Sequence, residues 1–314
     1  MLEELFEQNR IPLGDWAEAA VDWLDDNPVS SAIFDGIENG IDIVLTGMEG
    51  FLLSLPPLLV VLVVMIIGFL KAGGGHLLRL RGEDEEKDGN QVGDVILDVL
   101  KSGWKLGLGS ALLLVLIGLL GYWELTMTTI SIILTALFVC IVIGVPLGIL
   151  AASSDTVENI IRPVLDAMQT IHPFVYLVPV VIFFGIGEPP GTLATIVFAL
   201  PPIVRLTNLG IRQVPGDVVE AGKSFGSSDR QLLFDVKLPL ALPTIMAGLN
   251  QTLMLALSMV VIVALIAGGG LGQAIFRAVN NNDIGTAVQS GLVVVLLAIL
   301  LDRISQIGQR STAV

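Results

Sequence analysis

The residues whose types and spacing could do chemistry gather between Glu220 and Pro239, EAGKSFGSSDRQLLFDVKLP, a polar stretch between two strongly apolar ones. Gly216…Gly222-Lys223-Ser224 imitates a phosphate-cradling loop. Five residues separate its glycines where that loop needs four, and no apolar strand leads into Gly216, so nucleotide binding is not expected. His76 and His172 lie far apart, with no Cys or carboxylate at ligand spacing, which argues against a metal site. No nucleophile stands near a base in the sequence. Cys140 is the only cysteine and falls inside an apolar run, where it reads as a small filler that can form no internal disulfide. No catalytic residue and no cofactor are expected. The remaining chemistry is mechanical: a docking element.

Its local grammar is that of a compact knob rather than a tether. Pro215-Gly216 makes a turn, and Asp217 with Glu220 three residues on fits a capping box. The helix that follows gathers Val218, Val219, Ala221, Gly222 and Phe225, and Gly226 is a natural stop. Ser228 with Gln231 repeats the start signal, Leu232, Leu233 and Val236 form the apolar side, and Pro239 is expected to end this second helix. Glu220 reads as a half-buried carboxylate that fixes the knob's shape, a docking group, or both. Lys223, Arg230 and Lys237 read equally as partners for acids elsewhere and as solvated charges.

The elements that present this knob are membrane spans. Hydrophobic residues make up 54% of 314 positions and charged ones only 15%, far from the soluble norm. Apolar runs near 51–70, 104–122, 128–151, 163–185, 191–210, 243–268 and 287–304 are each long enough to cross a hydrocarbon core of ~20 residues. The expectation is an all-α polytopic membrane protein with about seven spans. With the Glu220 loop on the cytoplasmic side, 14 of the 16 basic residues are inside, leaving only Arg10 and Arg277 outside. That places the N-terminus outside and the C-terminus in the cytoplasm. Nothing in the first thirty residues reads as a cleaved leader; Ile11–Leu24 reads as an amphipathic helix, at the outer membrane boundary or packed on the fold.

The net charge of −14 arises mainly from twelve acids in residues 1–50 and seven in Glu83–Asp98. It argues against nucleic acid as a partner. An adaptation to salty surroundings and an ordinary solvated tail and loop both fit it. Polar residues inside the spans are costly unless they face the interior or one another, so they are the candidates for a translocation path. These are Gln169, Thr170, His172 and Tyr176 in one span, with Asn250 and Gln251 in another. Phe174, Tyr176, Phe183 and Phe184 could supply aromatic faces for a quaternary ammonium. The prolines within the spans suit helices that rock, and equally suit fixed kinks. Gly268–Gly272 reads as a flexible external turn.

Glu220, Ala221, Gly222, Gly226, Val236, Leu238 and Pro239 fall in register with the Glu-Ala-Ala loop of ABC-importer permeases, with Val236 where isoleucine is usual. GVPLGILAA at 144–152, RPVLDAMQTIHPFVYLVPVVIFFG at 162–185, ALPPIVRLTNLGIRQVP at 199–215 and the run 239–272 resemble the branch that imports glycine betaine, proline betaine, choline and related amines. The likeness covers roughly 52–303. The loop 73–100 is longer than that branch suggests, and His172-Pro173 replaces proline followed by a small residue.

The resemblance implies a type I permease core of five spans at 128–310, with its coupling loop at 215–239. Ahead of it come two accessory spans at 51–122, joined by a charged cytoplasmic loop with a short helix at 92–100, and an acidic external segment at 1–50. It implies a separate ABC ATPase subunit that grips the loop. It also implies a periplasmic or extracellular substrate-binding protein, a second permease copy in a homodimer, and residence in the lipid of a prokaryotic cytoplasmic membrane. A permease for amino acids or ions, or a channel or osmosensor without an ATPase, are the other readings.

Overall fold

The computed structural model describes residues 19, 21–24, 27–68, 104, 107–266 and 268–306. Regular structure among them is helical throughout. The expected helix at 92–100, His76 and the charged loop around them lie outside the described residues. So does most of Ile11–Leu24, of which residues 19 and 21–24 are helical.

Helix α1 (Pro28–Ser54) starts where Asn27 accepts a hydrogen bond from the Val29 N–H at 3.0 Å and Pro28 occupies the first turn. Residues 28–50 are therefore no solvated tail. Ile37, Ile41 and Leu45, four apart, form a stripe whose last two members are buried, and α1 packs on α4 (Trp123–Ser153). The Thr128 hydroxyl of α4 donates to Glu49 at 2.7 Å. Acids on the open faces of α1 mask that stripe in a hydropathy average.

Pro56-Pro57 then stops α1: two missing N–H groups and an extended Leu55 break the ladder. Helix α2 (Pro57–Gly68) leaves at 101° to α1. The expected span at 51–70 thus straddles a break, with Phe51–Ser54 belonging to α1. Helix α3 (Gly107–Leu119) crosses α2 closely, since a Cβ on Gly107 would stand 2.8 Å from the Met65 carbonyl oxygen. It closes with Gly121 at positive φ and the Tyr122 N–H donating back to Ile117. One short turn therefore joins α3 to α4.

The second break falls inside the expected span 163–185. Helix α5 (Asp155–Thr170) ends at an extended Ile171, and α6 (Pro173–Phe184) departs at 102°. Pro173 again removes a donor and holds His172 extended. Elsewhere proline does not interrupt: α4 runs through Pro146 and α7 (Glu188–Arg212) through Pro201-Pro202. Four described helical stretches are long and apolar enough to cross a membrane, and six if each bent pair is one span. The shorter apolar α3 stands at the remaining expected position.

The centre of the fold is α7, packed between α4 and α10 (Leu238–Val263). Contact is through small residues. Gly144 and Gly148 of α4 meet Ile203, Val204 and Thr207, while Gly210 of α7 meets Ala241 and Thr244. Gly248 of α10 meets Leu206. Such stripes let backbones approach and replace a hydrophobic driving force that lipid does not provide. Buried Ile132, Ile133, Ile203, Val260 and Leu297 fill the space around them.

At the end away from the Glu220 loop, Gly268–Gly272 is tightly packed rather than flexible. Gly269 and Gly270 have φ of 72° and 61°, and a Cβ on them would strike Glu188 and Thr129 respectively. The Leu271 N–H donates to Thr129 Oγ1 at 2.8 Å. A helix absent from the span reading, α11 (Gly270–Asn280), begins there. Leu271, Ala274, Ile275 and Ala278 at helical spacing were its available signal. Asp283 then accepts from the N–H and hydroxyl of Thr286, at 3.1 and 2.6 Å, and opens α12 (Ile284–Gln306).

Candidate functional site

Helix α8 (Gly216–Ser224) begins after Pro215, whose extended backbone makes it the N-cap; no side chain caps it. Asp217 lies two residues past the cap, too late for the expected capping box, and sits instead in the first turn, where the positive helix end favours a carboxylate. Glu220 is correspondingly mid-helix and exposed, not half-buried. Its backbone carbonyl accepts from Ser224 Oγ at 2.9 Å. Gly222-Lys223-Ser224 is the last helical turn, a geometry that cradles no phosphate.

The stop at Gly226 is as expected, with φ 82° and the Ser227 N–H donating to the Gly222 carbonyl at 3.2 Å. Ser228 and Gln231 form the expected reciprocal cap around the single turn α9 (Asp229–Gln231). The Ser228 N–H donates to Gln231 Oε1 at 2.9 Å, and the Gln231 N–H donates to Ser228 Oγ at 3.4 Å. Removing an N-cap hydroxyl costs ~1 kcal/mol, or roughly fivefold in a local opening equilibrium. Ser228→Ala is expected to speed amide exchange at Gln231 and Leu232 by about that factor, leaving α4 and α7 unchanged in the same hydrogen-exchange experiment.

Pro239 does not end this segment. A wide π turn at Leu232–Lys237 leads directly into α10, so Asp229–Ile266 runs as one 38-residue rod. The Leu238 N–H reaches back five residues to Leu233. That shift of register accommodates Pro239, which carries no N–H, and the helix continues on through Pro243. Leu232 is buried, and a Cβ on Gly222 would stand 2.8 Å from its Cδ1, so α8 lies directly on the start of the rod. Val236 and Leu238 are half-buried there. Ala221 is exposed beside Glu220, while Phe225 is 91% and Phe234 60% exposed. The knob therefore presents an acid and two aromatic rings that stand exposed among the described residues, the composition of a protein-docking patch.

Beside the knob a groove of about 460 Å³ opens among the ends of α4, α5 and α7. Glu158, Arg162, Asp166, Arg205, Asn208 and Arg212 line it. Arg205 pairs with Asp166, and Arg212 with Asp155 at 2.7 Å and Glu158 at 2.9 Å. The residue-level reading passed over this network, although its signal was present. Arg205 and Arg212 are seven apart and Asp155 and Asp166 eleven apart, so each pair shares a helix face.

The path candidates fall into two groups that no hydrogen bond joins among the described residues. Around the α5–α6 bend, Gln169 is exposed and Thr170 donates to the Asp166 carbonyl at 2.7 Å. His172 accepts from the Phe174 N–H and stacks on its ring, and the Tyr176 hydroxyl donates to the Met168 carbonyl. On α10, Gln251 is exposed while Asn250 Oδ1 is enclosed without a partner among the described residues. The rings considered for a cage are dispersed: Phe174 on His172, Tyr176 against Phe198, and Phe183 and Phe184 against Phe34 of α1.

Residues 144–313 match the family model described as binding-protein-dependent transport system inner membrane component. The chain is 46% identical over 301 residues to the glycine betaine/proline betaine transport system permease protein ProW of Escherichia coli K12, covering 96% of this chain and 76% of that protein. It is 39% identical to the glycine betaine transport system permease protein OpuAB of Bacillus subtilis, over 95% of this chain and 94% of that one. To the glycine betaine/carnitine transport permease protein GbuB of Listeria monocytogenes it is 51% identical, over 65% and 72%. Among solved structures, the MetNI methionine ABC transporter in inward-facing conformations is similar in fold, at 20% identity and a TM-score of 0.54, over 59% of this chain and 93% of that one.

Proposed function

The chain belongs to the binding-protein-dependent inner-membrane transport components, and from that premise we propose that it is the permease subunit of an ATP-driven importer for glycine betaine, proline betaine and related quaternary amines. The observation that carries this reading is identity of 46% and 39%, over 96% and 95% of the chain, to two permeases named for glycine betaine. The chain is the non-catalytic membrane component of such a system. A channel or osmosensor working without an ATPase does not fit this membership.

In this reading the knob at Glu220–Pro239 faces the cytoplasm and enters a cleft of an ABC ATPase subunit. Its exposed Glu220, Phe225 and Phe234 are the surface that such a cleft would cover. The N-terminus is outside, a binding protein delivers the solute at the opposite end, and a second copy of the chain completes the path. Gln169, Thr170, His172 and Tyr176 at the α5–α6 bend, with Asn250 and Gln251 on α10, line it. Closure of the ATPase pushes on α8, and the continuous rod from Asp229 to Ile266 carries that push across the bilayer without an intervening loop. Selection of the solute rests mainly with the binding protein, in keeping with the dispersed rings.

The test is uptake of labelled glycine betaine into vesicles holding this chain, its ATPase and its binding protein. ATP-dependent accumulation that requires all three is expected. Stimulation of the ATPase by the binding protein without betaine uptake would keep the architecture and discard the solute class.

A further inference from the structure

We infer that Arg212 is a positioning residue that makes α5 and its bend move together with the coupling knob, an inference resting on the reading of the chain as an ATP-driven importer. Arg212 closes α7, and only Gln213, Val214 and Pro215 separate it from α8. Its guanidinium is used on every side. Nε donates to Asn208 Oδ1 and Nη2 to the Ala151 carbonyl of α4, both at 2.9 Å. The same group pairs with Asp155 and Glu158 in the first turn of α5, and Asn208 donates to Glu158 at 3.1 Å. A planar fork can hold these partners at once in a way an ammonium cannot.

What makes this a mechanical joint is that charge ties reinforce a narrow apolar contact of α5. Leu165 is the one buried residue of that helix. A second tie, Arg205 to Asp166, sits eleven residues beyond Asp155, so both ends of α5 are pinned to α7 by charge, beside an apolar seam of Ile161, Leu165 and Met168. Past the second tie, the Tyr176 hydroxyl donates to the Met168 carbonyl and fixes the bend into α6. A displacement of α8 therefore reaches α7, passes through Arg212 to α5, and arrives at the bend carrying Gln169, Thr170 and His172. Coupling of two sites requires such a physically contiguous element that both can bias.

The experiment uses the full complex of this chain, ATPase and binding protein in lipid vesicles. A nitroxide is placed on α5 through Val164→Cys, a 57% exposed position; Cys140 is fully buried and stays unlabelled. Trapping the ATPases with ATP and vanadate is expected to change the spectrum in the chain with Arg212 intact. Arg212→Gln should abolish that change and lower uptake per ATP hydrolysed by about tenfold or more, within the usual range of coupling between sites. Arg212→Lys should recover part of both. Asp155→Asn, at a side chain 84% exposed and so harmless to folding, should reduce both in part.

A spectral change that persists in Arg212→Gln, an unaltered uptake-to-hydrolysis ratio in Asp155→Asn, or an α5 label silent with Arg212 intact would each overturn the inference. If the label responds to ATP and Arg212→Gln silences it, yet no betaine is imported, the solute assignment fails and the role of Arg212 stands.

Discussion

Glu220→Ala is expected to lower ATP-driven betaine uptake by roughly ten- to hundredfold while leaving the isolated chain as stable as before. The second half of that expectation comes from geometry. Glu220 is exposed in the middle of α8, and its carboxylate has no hydrogen bond or ion pair among the described residues. Alanine favours a helix interior slightly more than glutamate, so nothing within the knob is lost. The first half rests on the docking proposed above for the side chain. In an ATPase cleft, water leaves the carboxylate and a charge-assisted hydrogen bond of about 1.5–3 kcal/mol replaces it. Its removal at 1.4 kcal/mol per decade gives the stated loss. Uptake in vesicles and thermal unfolding of the purified permease measure the two halves separately. A destabilised chain would make Glu220 an internal brace after all, and undiminished uptake would remove it from coupling.

The same residue shows where sequence reasoning reaches its limit. The start of the knob's second half was legible to the residue, though its end at Pro239 was not: Ser228, Gln231 and Gly226 act through local chemistry that depends only on neighbours three to five positions away. The first half was misjudged by two positions, because Pro215 takes the cap that Asp217 was expected to fill. Long apolar helices were equally readable, since α4, α7, α10 and α12 follow directly from hydropathy. The two sharp bends were not. A hydropathy window averages across Pro56-Pro57 and His172-Pro173 and reports one span where the backbone turns by about a right angle. Proline alone could not have flagged them, because Pro146, Pro201, Pro202 and Pro243 sit inside unbroken helices. Burial does not sort them either: Pro201 and Pro202 are buried in α7 between α4 and α10, whereas Pro163 and Pro179 lie exposed in unbroken helices. The Arg212 network needs three helix ends to converge, which a linear reading does not supply.

That convergence depends on how closely α4 and α7 approach, and Gly148→Leu is expected to destroy it. A Cβ at Gly148 would stand 2.8 Å from the Val204 carbonyl oxygen and closer still to Thr207 Cβ, in a helix crossing where both partners are buried. The first obstacle is backbone and the second a β-branched side chain fixed at χ1, so neither can swing aside. Gly144, one turn earlier, faces Ile203 in the same way, so relief at one glycine jams the other. Overpacking ordinarily costs 1–3 kcal/mol, and a leucine that forces two backbones apart lies at about the upper end or beyond. It also parts Ala151 from Arg212. The expected result is a chain that no longer elutes as a single folded species in mild detergent. Gly47→Ala provides the contrast: among the described residues nothing lies within 4 Å of a Cβ there, so this exposed position of α1 gains up to ~1 kcal/mol of propensity and the chain folds normally. Were Gly148→Leu to fold and transport as well as Gly47→Ala, the close α4–α7 contact would not be what holds the core together.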